Sequence, residues 1–405
     1  MKGPFSLFAL AAVALAQDEG SAVLTAIQIQ SDLTQLFAAL QLFPDVVSTL
    51  RSASNITIFA PTDTAFAALG SDAPTGDALA AVLNYHVVQG QYPASTIPTM
   101  PTYVQTLLTP ELSQTDTALT NVTGGQYVGV VNNGTGVQLL SGNLAVSNVV
   151  EADIIQGGSI SIHKIDRVLT LPENLAITLS EVAGASTIVD AAIVADLSET
   201  LTTVEDLTIF VPNDAAFEAI GSVLATANLE TLQSVLQYHA ITGAVFFAED
   251  VTNTTSPSLA GNLTLSVIDG AVFVNEAKVI IPNIILSNGV AHVIDSVLNP
   301  LATEPFDRAS LSPSNSPVVA FQGASPTAVS LGLPRPAPTT TLSVPAVLTS
   351  GLATVTGTRA SASGSATNSG PAVASASGES GASSQRIVGG LHAAGGLLGV
   401  VALLA

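Results

Sequence analysis

The chain has 405 residues, a formal net charge of −21, 47% hydrophobic residues and only 10% charged ones. The apolar content excludes a wholly disordered protein, the length allows two or three domains, and the negative charge excludes nucleic acid as a partner because phosphates would be repelled. There is no cysteine, so no disulfide holds the folded part together, and so few charges call for another solubilising group such as sugar.

Residues 1–16 read as a secretory signal peptide. Lys2 precedes an apolar run from Phe5 to Leu15, and Ala14-Leu15-Ala16 supplies a small-x-small cleavage site. The rival reading, a membrane anchor, fails on length, because a bilayer span needs roughly 20 apolar residues.

TIFAPTDTAF, residues 57–66, predicts a strand that turns into a helix. Thr57, Ile58 and Phe59 favour a strand, Pro61 cannot donate to a continuing ladder, and Thr62 and Asp63 sit where a helix N-terminus wants acceptors and negative charge. Phe66 and Leu69 then share a helical face, with Gly70 as the stop. LNYHVVQG, residues 83–90, ends an apolar helical run on the pair Tyr85-His86, and SISIHKIDRVLTLP, residues 159–172, reads as a strand packed on both faces.

All three landmarks recur in the same order. TIFVPNDAAF spans 208–217 with Gly221 as its stop, LQYHAITG spans 236–243 with the pair Tyr238-His239, and GVAHVIDSVLNP spans 289–300. Ordered repetition makes two copies of one domain, 21–171 and 172–300. The first copy is about 24 residues longer between its second and third landmarks, and that insertion, between Gln91 and Val137, shows no core pattern and reads as surface loops. NLTLSVIDGAVFVN, residues 262–275, carries an Asp-Gly hairpin signal. The fold class is α+β.

The repeated H-x-x-D, His163 with Asp166 and His292 with Asp295, is not a metal site, because strand residues three apart face opposite sides. The Tyr-His pairs lack a neighbouring nucleophile, since there is neither a G-x-S-x-G elbow nor a cysteine, and their histidines read as packed structural residues. No catalytic residue, metal or cofactor is expected, and the chain does not read as an enzyme.

From 301 to 386 Ser, Thr, Ala, Pro and Gly dominate, the composition of a disordered, O-glycosylated stalk. Residues 387–405 form a weakly apolar tail with no basic residue after it. With small residues at Ser375, Ser377 and Gly378 and a polar spacer between, this is the pattern of a glycosylphosphatidylinositol (GPI) attachment signal, and the rival tail-anchored span lacks flanking Lys or Arg. Sequons at Asn55, Asn121, Asn133, Asn253 and Asn262 fit passage through a glycosylating pathway.

The three landmarks together resemble the fasciclin (FAS1) domain family, whose boxes are a TIFAPT-x-x-AF run, a central Tyr-His pair and a VIHVID-x-VL-like end. The resemblance covers about 21–300 in both copies. It implies two tandem wedges of β-strands carrying helices, in an extracellular adhesion or matrix protein, often on a lipid anchor; the stalk and the small-residue tail look like those of a fungal surface protein. It also implies that Asp153-Ile154 stands at the family's cell-attachment pair, with Tyr85, His86, Tyr238 and His239 supporting the adhesive surface. The second copy departs there, having Asn283-Ile284. The expected partner is an extracellular protein or glycan of the wall or matrix, with the membrane reached through a GPI anchor. The competing expectation is a module at the cell surface that binds a small apolar or lipid ligand.

Overall fold

The structure, a computed structural model, describes residues 19–112, 119–157, 160–302, 307–329 and 341–350. Helices α1 (Glu19–Gln28), α2 (Thr34–Leu42) and α3 (Pro44–Ser52) lead into β1 (Ile56–Pro61), α4 (Asp63–Ala67), α5 (Gly76–Tyr85) and β2 (Val87–Gln89). Strands β3 (Thr102–Gln105), β4 (Tyr127–Asn132), β5 (Val137–Leu140), β6 (Val146–Gly157) and β7 (Ile160–Ile165) complete the first domain. The second repeats the plan: α6 (Leu175–Glu181), α7 (Thr187–Val194), α8 (Ser198–Thr203), β8 (Leu207–Pro212), α9 (Asp214–Ala219), α10 (Gly221–Leu224), α11 (Leu229–Tyr238) and β9 (Ala240–Ile241). Strands β10 (Thr254–Ser258), β11 (Gly261–Ile268), β12 (Ala271–Val274), β13 (Ala277–Leu286) and β14 (Gly289–Ile294) follow, and α12 (Ala346–Ser350) comes last.

Each domain is built on a seven-stranded sheet, ordered β2-β1-β7-β6-β5-β4-β3 and β10-β11-β12-β13-β14-β8-β9, the same topology twice. The first and third landmarks lie side by side as the one parallel pair of each sheet, β1 with β7 and β8 with β14. Alternation along β1 divides the core as a period of two requires. Ile56, Ile58 and Ala60 pack on the helices with Leu36, Leu40 and Leu50, whereas Phe59 faces the interior of the wedge with Tyr85, Val104 and Leu139. The Asp-Gly signal is a two-residue hairpin: Ile268 pairs Ala271, and Asp269 and Gly270 have φ of 48° and 80°, the left-handed pair that such a turn needs.

Three expectations change. The lengthened segment of the first copy is not all surface loop, since β3 and β4 lie in it and Ile97, Val104, Leu108, Val122, Val128 and Val130 are buried. Its extra length falls mainly between Gln105 and Tyr127, where the second copy passes directly from Ser258 to Gly261. Gly221 is not a left-handed stop but opens α10, and a Cβ there would strike the carbonyl oxygen of Thr327.

That contact bears on the third change, at the start of the low-complexity region. Residues 307–329 and 341–350 lie against the second domain: Thr327 N donates to Glu218 O at 3.0 Å, Leu342 N donates to Glu181 O at 2.8 Å, and Phe321, Val344 and Leu348 join its core. The apolar residues here are sparse, and those that pack, such as Phe321, Val344 and Leu348, are widely spaced, which an average over 301–386 conceals. The proposed GPI attachment region at Ser375, Ser377 and Gly378 and the signal peptide lie outside the described residues.

Candidate functional site

Tyr85, His86, Asp153, Tyr238 and His239 fall into two repeated constellations, and a third polar cluster lies at the junction between the domains. The Tyr-His pairs come first. His86 Nε2 accepts from Leu169 N at 2.9 Å, which leaves Nδ1 as the protonated nitrogen, 2.6 Å from Val82 O. His239 repeats this with Leu298 N at 2.9 Å and Val235 O at 2.7 Å. Each imidazole ties a helix C-terminus to the end of the third landmark. Burial pushes both pKa values down to about 4, so both rings are neutral and neither nitrogen is left for an outside partner. Tyr85 is also buried and donates to Tyr127 O at 2.8 Å, and burial raises its phenol. Tyr238 is half-buried and donates to Asn262 O at 2.9 Å.

The second constellation sits at a bulge. Strands β6 and β13 each break register opposite the histidine strand, and the residues at the break, Asp153 and Asn283, have φ of 55° and 61°. Asp and Asn tolerate that left-handed conformation better than other side chains, which is a physical reason for one or the other here. His163 Nδ1 accepts from Asp153 N at 3.1 Å and its Nε2–H donates to Tyr92 O at 2.9 Å. His292 does the same with Asn283 N at 3.2 Å and Phe246 O at 2.7 Å. The rings stack alike on Phe59 and Phe210, with centroids 5.7 Å apart in both domains. Asp153 lies 3.8 Å from His163 Nδ1, but that nitrogen is an acceptor and burial lowers the imidazole pKa, so the two form no ion pair.

What the Asp-to-Asn exchange does is now visible. The Asp153 carboxylate accepts from Ala94 N at 3.3 Å and is 19% exposed, so it is turned mainly inward. Its neighbour Ile154 packs against the helical core. In the second copy Asn283 Oδ1 accepts from the equivalent amide, Ala248 N, at 2.8 Å, while its Nδ2 donates to both oxygens of Glu249 at 3.0 and 2.7 Å. A carboxylate therefore persists in the second domain, on the facing loop one residue beyond Ala248 instead of on the bulge. Burial raises its pKa to about 7. The repeated H-x-x-D separates as expected from strand geometry: Asp166 holds Asn148 N at 2.7 Å and Asp295 holds Lys278 N at 2.9 Å, away from the histidines.

The domains meet through the lengthened link of the first. Asn121 N donates to Ser287 O at 2.8 Å and Asn121 Nδ2 to Thr203 O at 3.0 Å, while Thr123 N reaches Asp206 Oδ1 at 2.8 Å. Buried Gln126 donates to Leu286 O and Ser287 O at 3.1 and 3.2 Å. Tyr103 stacks on Phe247 of the second domain, and Leu140 and Leu144 share a buried cluster with its core. Sequence reasoning missed this junction. The sequon Asn121 lies within it, whereas Asn55, Asn133, Asn253 and Asn262 are exposed.

Residues 31–172 and 183–300 each match the Fasciclin domain family, together more than half of the chain. The protein belongs to the fasciclin domain family. It is similar to a fasciclin-like arabinogalactan protein of Arthroderma benhamiae, 28% identical over 333 residues that span 79% of this chain and 76% of that protein. It is also similar to protein sll1483 of Synechocystis, 41% identical over 135 residues, 31% of this chain and 74% of that one. A solved FAS1 domain pair from the insect cell adhesion molecule fasciclin I covers 66% of this chain and 96% of its own, at 18% identity and a TM-score of 0.31. In this fasciclin pair the Tyr-His and bulge residues are the braces of each wedge, and the first domain's link is the clasp.

Proposed function

We propose that this fasciclin protein is a non-catalytic adhesion protein of the cell surface, presenting its two domains as one unit to a protein or glycan of the wall or matrix. The observation that carries the reading is that the polar residues repeated in both copies are bonded inside the fold, so what the repeats maintain is a doubled scaffold. The relationship to fungal fasciclin-like arabinogalactan proteins supports a glycosylated surface setting. The signal peptide, the stalk beyond residue 350 and GPI attachment near Ser375, Ser377 and Gly378 belong to this proposal. Adhesion would use the outer surface of the pair, with Asp153-Ile154 contributing mainly by shaping the bulge.

The test is to delete the gene and measure attachment to surfaces and sensitivity to wall-perturbing agents, with release of the protein by a phosphatidylinositol-specific phospholipase as a separate reading of the anchor. Weakened attachment restored by the full-length gene is expected. Unchanged attachment and wall integrity would overturn the reading.

A further inference from the structure

Beside Glu249 a cleft of about 280 Å³ opens where the first domain, the second domain and the C-terminal segment meet. Met100 and Pro101 come from the first domain, Ala248, Val251, Val272 and Pro282 line it from the second, and Leu348 of α12 closes one side. Its volume lies just below the usual range of small-molecule pockets, roughly 300–1,000 Å³, and like them it is an apolar wall with few polar groups. The polar group that matters is the Glu249 carboxylate. Its oxygens accept from Asn283 Nδ2 and from the Glu249 backbone N–H, and an ionised carboxylate, with about four lone-pair sites, keeps acceptor capacity beyond these.

The chemistry of the missing partner follows from charge. Among the described residues none lining the cleft carries a positive charge, and the titratable groups that face Glu249 there are the neighbouring Asp250 and the phenol of Tyr103, neither of them cationic. The whole chain carries −21, so a cation approaching the cleft is attracted at long range and an anion is repelled. A buried carboxylate without a cation is costly, and an ammonium that donates to it relieves that cost. We infer that this cleft is a binding site for a small apolar amine, its chain against Val251, Val272 and Leu348 and its ammonium on Glu249. The raised Glu249 pKa agrees, since it records a carboxylate held in apolar surroundings. The site needs both domains and α12, which gives the junction and the packed C-terminal segment a use beyond rigidity.

The experiment is calorimetric titration of the secreted, glycosylated full chain with octylamine, octanol and octanoate, which share a chain length and differ in the head. One octylamine per protein is expected, bound at least about tenfold more tightly than octanol, with octanoate weakest. Glu249→Gln keeps a hydrogen-bond acceptor for Asn283 and is expected to remove the preference for the amine while octanol still binds. Thr252→Trp, at the exposed rim, and Met100→Trp, from the other domain, are expected to block all three, and thermal unfolding checks that each variant is folded. Octylamine binding no tighter than octanol, a preference that survives Glu249→Gln, or binding that survives both tryptophan variants would each overturn the assignment.

Discussion

Tyr103 of the first domain lies flat on Phe247 of the second, ring centroids 3.9 Å apart and planes 1° from parallel, with Tyr127 meeting the same ring edge-on at 4.9 Å. One phenylalanine on a loop of the second domain thus packs on two strands of the first, and Gln126 adds hydrogen bonds to the carbonyls of Leu286 and Ser287. Two domains sharing a core are expected to unfold together. Phe247→Ala is expected to lower stability by about 3–5 kcal/mol, the range for emptying a buried aromatic site, and to split thermal unfolding into two transitions. Calorimetry checks it: a single transition of unchanged midpoint would refute the coupling.

Asp63 and Asp214, the acidic residues of the repeated corner, do more than favour their own helices. Thr62 and Asn213 cap those, accepting from Ala65 N at 3.3 Å and Ala216 N at 2.7 Å. Asp63 instead accepts from Gln35 N at 2.8 Å and Thr34 Oγ1 at 2.7 Å, at the start of α2, whose own N-cap position is Leu33 and cannot cap. Asp214 serves α7 likewise through Ser186 N at 2.9 Å and Thr187 N at 2.7 Å. Losing a cap costs about 0.5–2 kcal/mol, so Asp63→Ala and Asp214→Ala are each expected to lower stability by that much. Asp63→Asn, which keeps one acceptor oxygen, should cost less. Urea unfolding of the three variants distinguishes this from a surface charge effect, in which Asn and Ala would behave alike.

The corner, the hairpin and the tandem plan were legible because each is local: strand alternation, Pro61, and Asp269-Gly270 state their conformations within a few residues. The role of Asp63 was not, because its partners Thr34 and Gln35 lie on an earlier helix, and only the fold reveals that Leu33 leaves that helix uncapped. The junction was hidden for a related reason. Asn121, Thr123 and Gln126 are polar and aperiodic, as in any surface loop, and their partners are mostly backbone carbonyls, which no side-chain pattern announces. Asn283 looked like a departure from Asp153 until the facing loop showed that Glu249 supplies the carboxylate.

Glycosylation should report the junction as well. Asn121 Nδ2, the atom a glycan would occupy, is 3.0 Å from Thr203 O in the neighbouring domain. Asn133 is exposed, and its Oδ1 is bonded within its own turn while the amide nitrogen points elsewhere. Peptide mass spectrometry of the secreted protein is expected to find Asn133 modified and Asn121 bare. Full occupancy at Asn121 would mean that the domains do not close as described.

Buried titratable groups set opposite pH dependences, and their balance can be worked out. His86, His239 and His292 have pKa values near 4 in the fold against 6.5 when free. Between those values the unfolded chain binds more protons, so their stabilisation is complete above pH 6.5 and is lost as pH falls towards 4. Glu249 runs the other way: with a pKa of about 7 against 4.5, its contribution is complete below 4.5 and lost as pH rises through 7. Three histidines outweigh one glutamate across the interval they share, so stability is expected to rise from pH 4.5 to a maximum near 6.5. Glu249→Gln removes the descending limb. Its stability relative to the parent should increase by about 3 kcal/mol between the acid and neutral ends, following the linkage relation for a shift of this size. Urea unfolding at pH 4.5, 6.5 and 8 measures both effects; a parent more stable at the acid end than at its middle would show that the histidines are not buried as neutral braces.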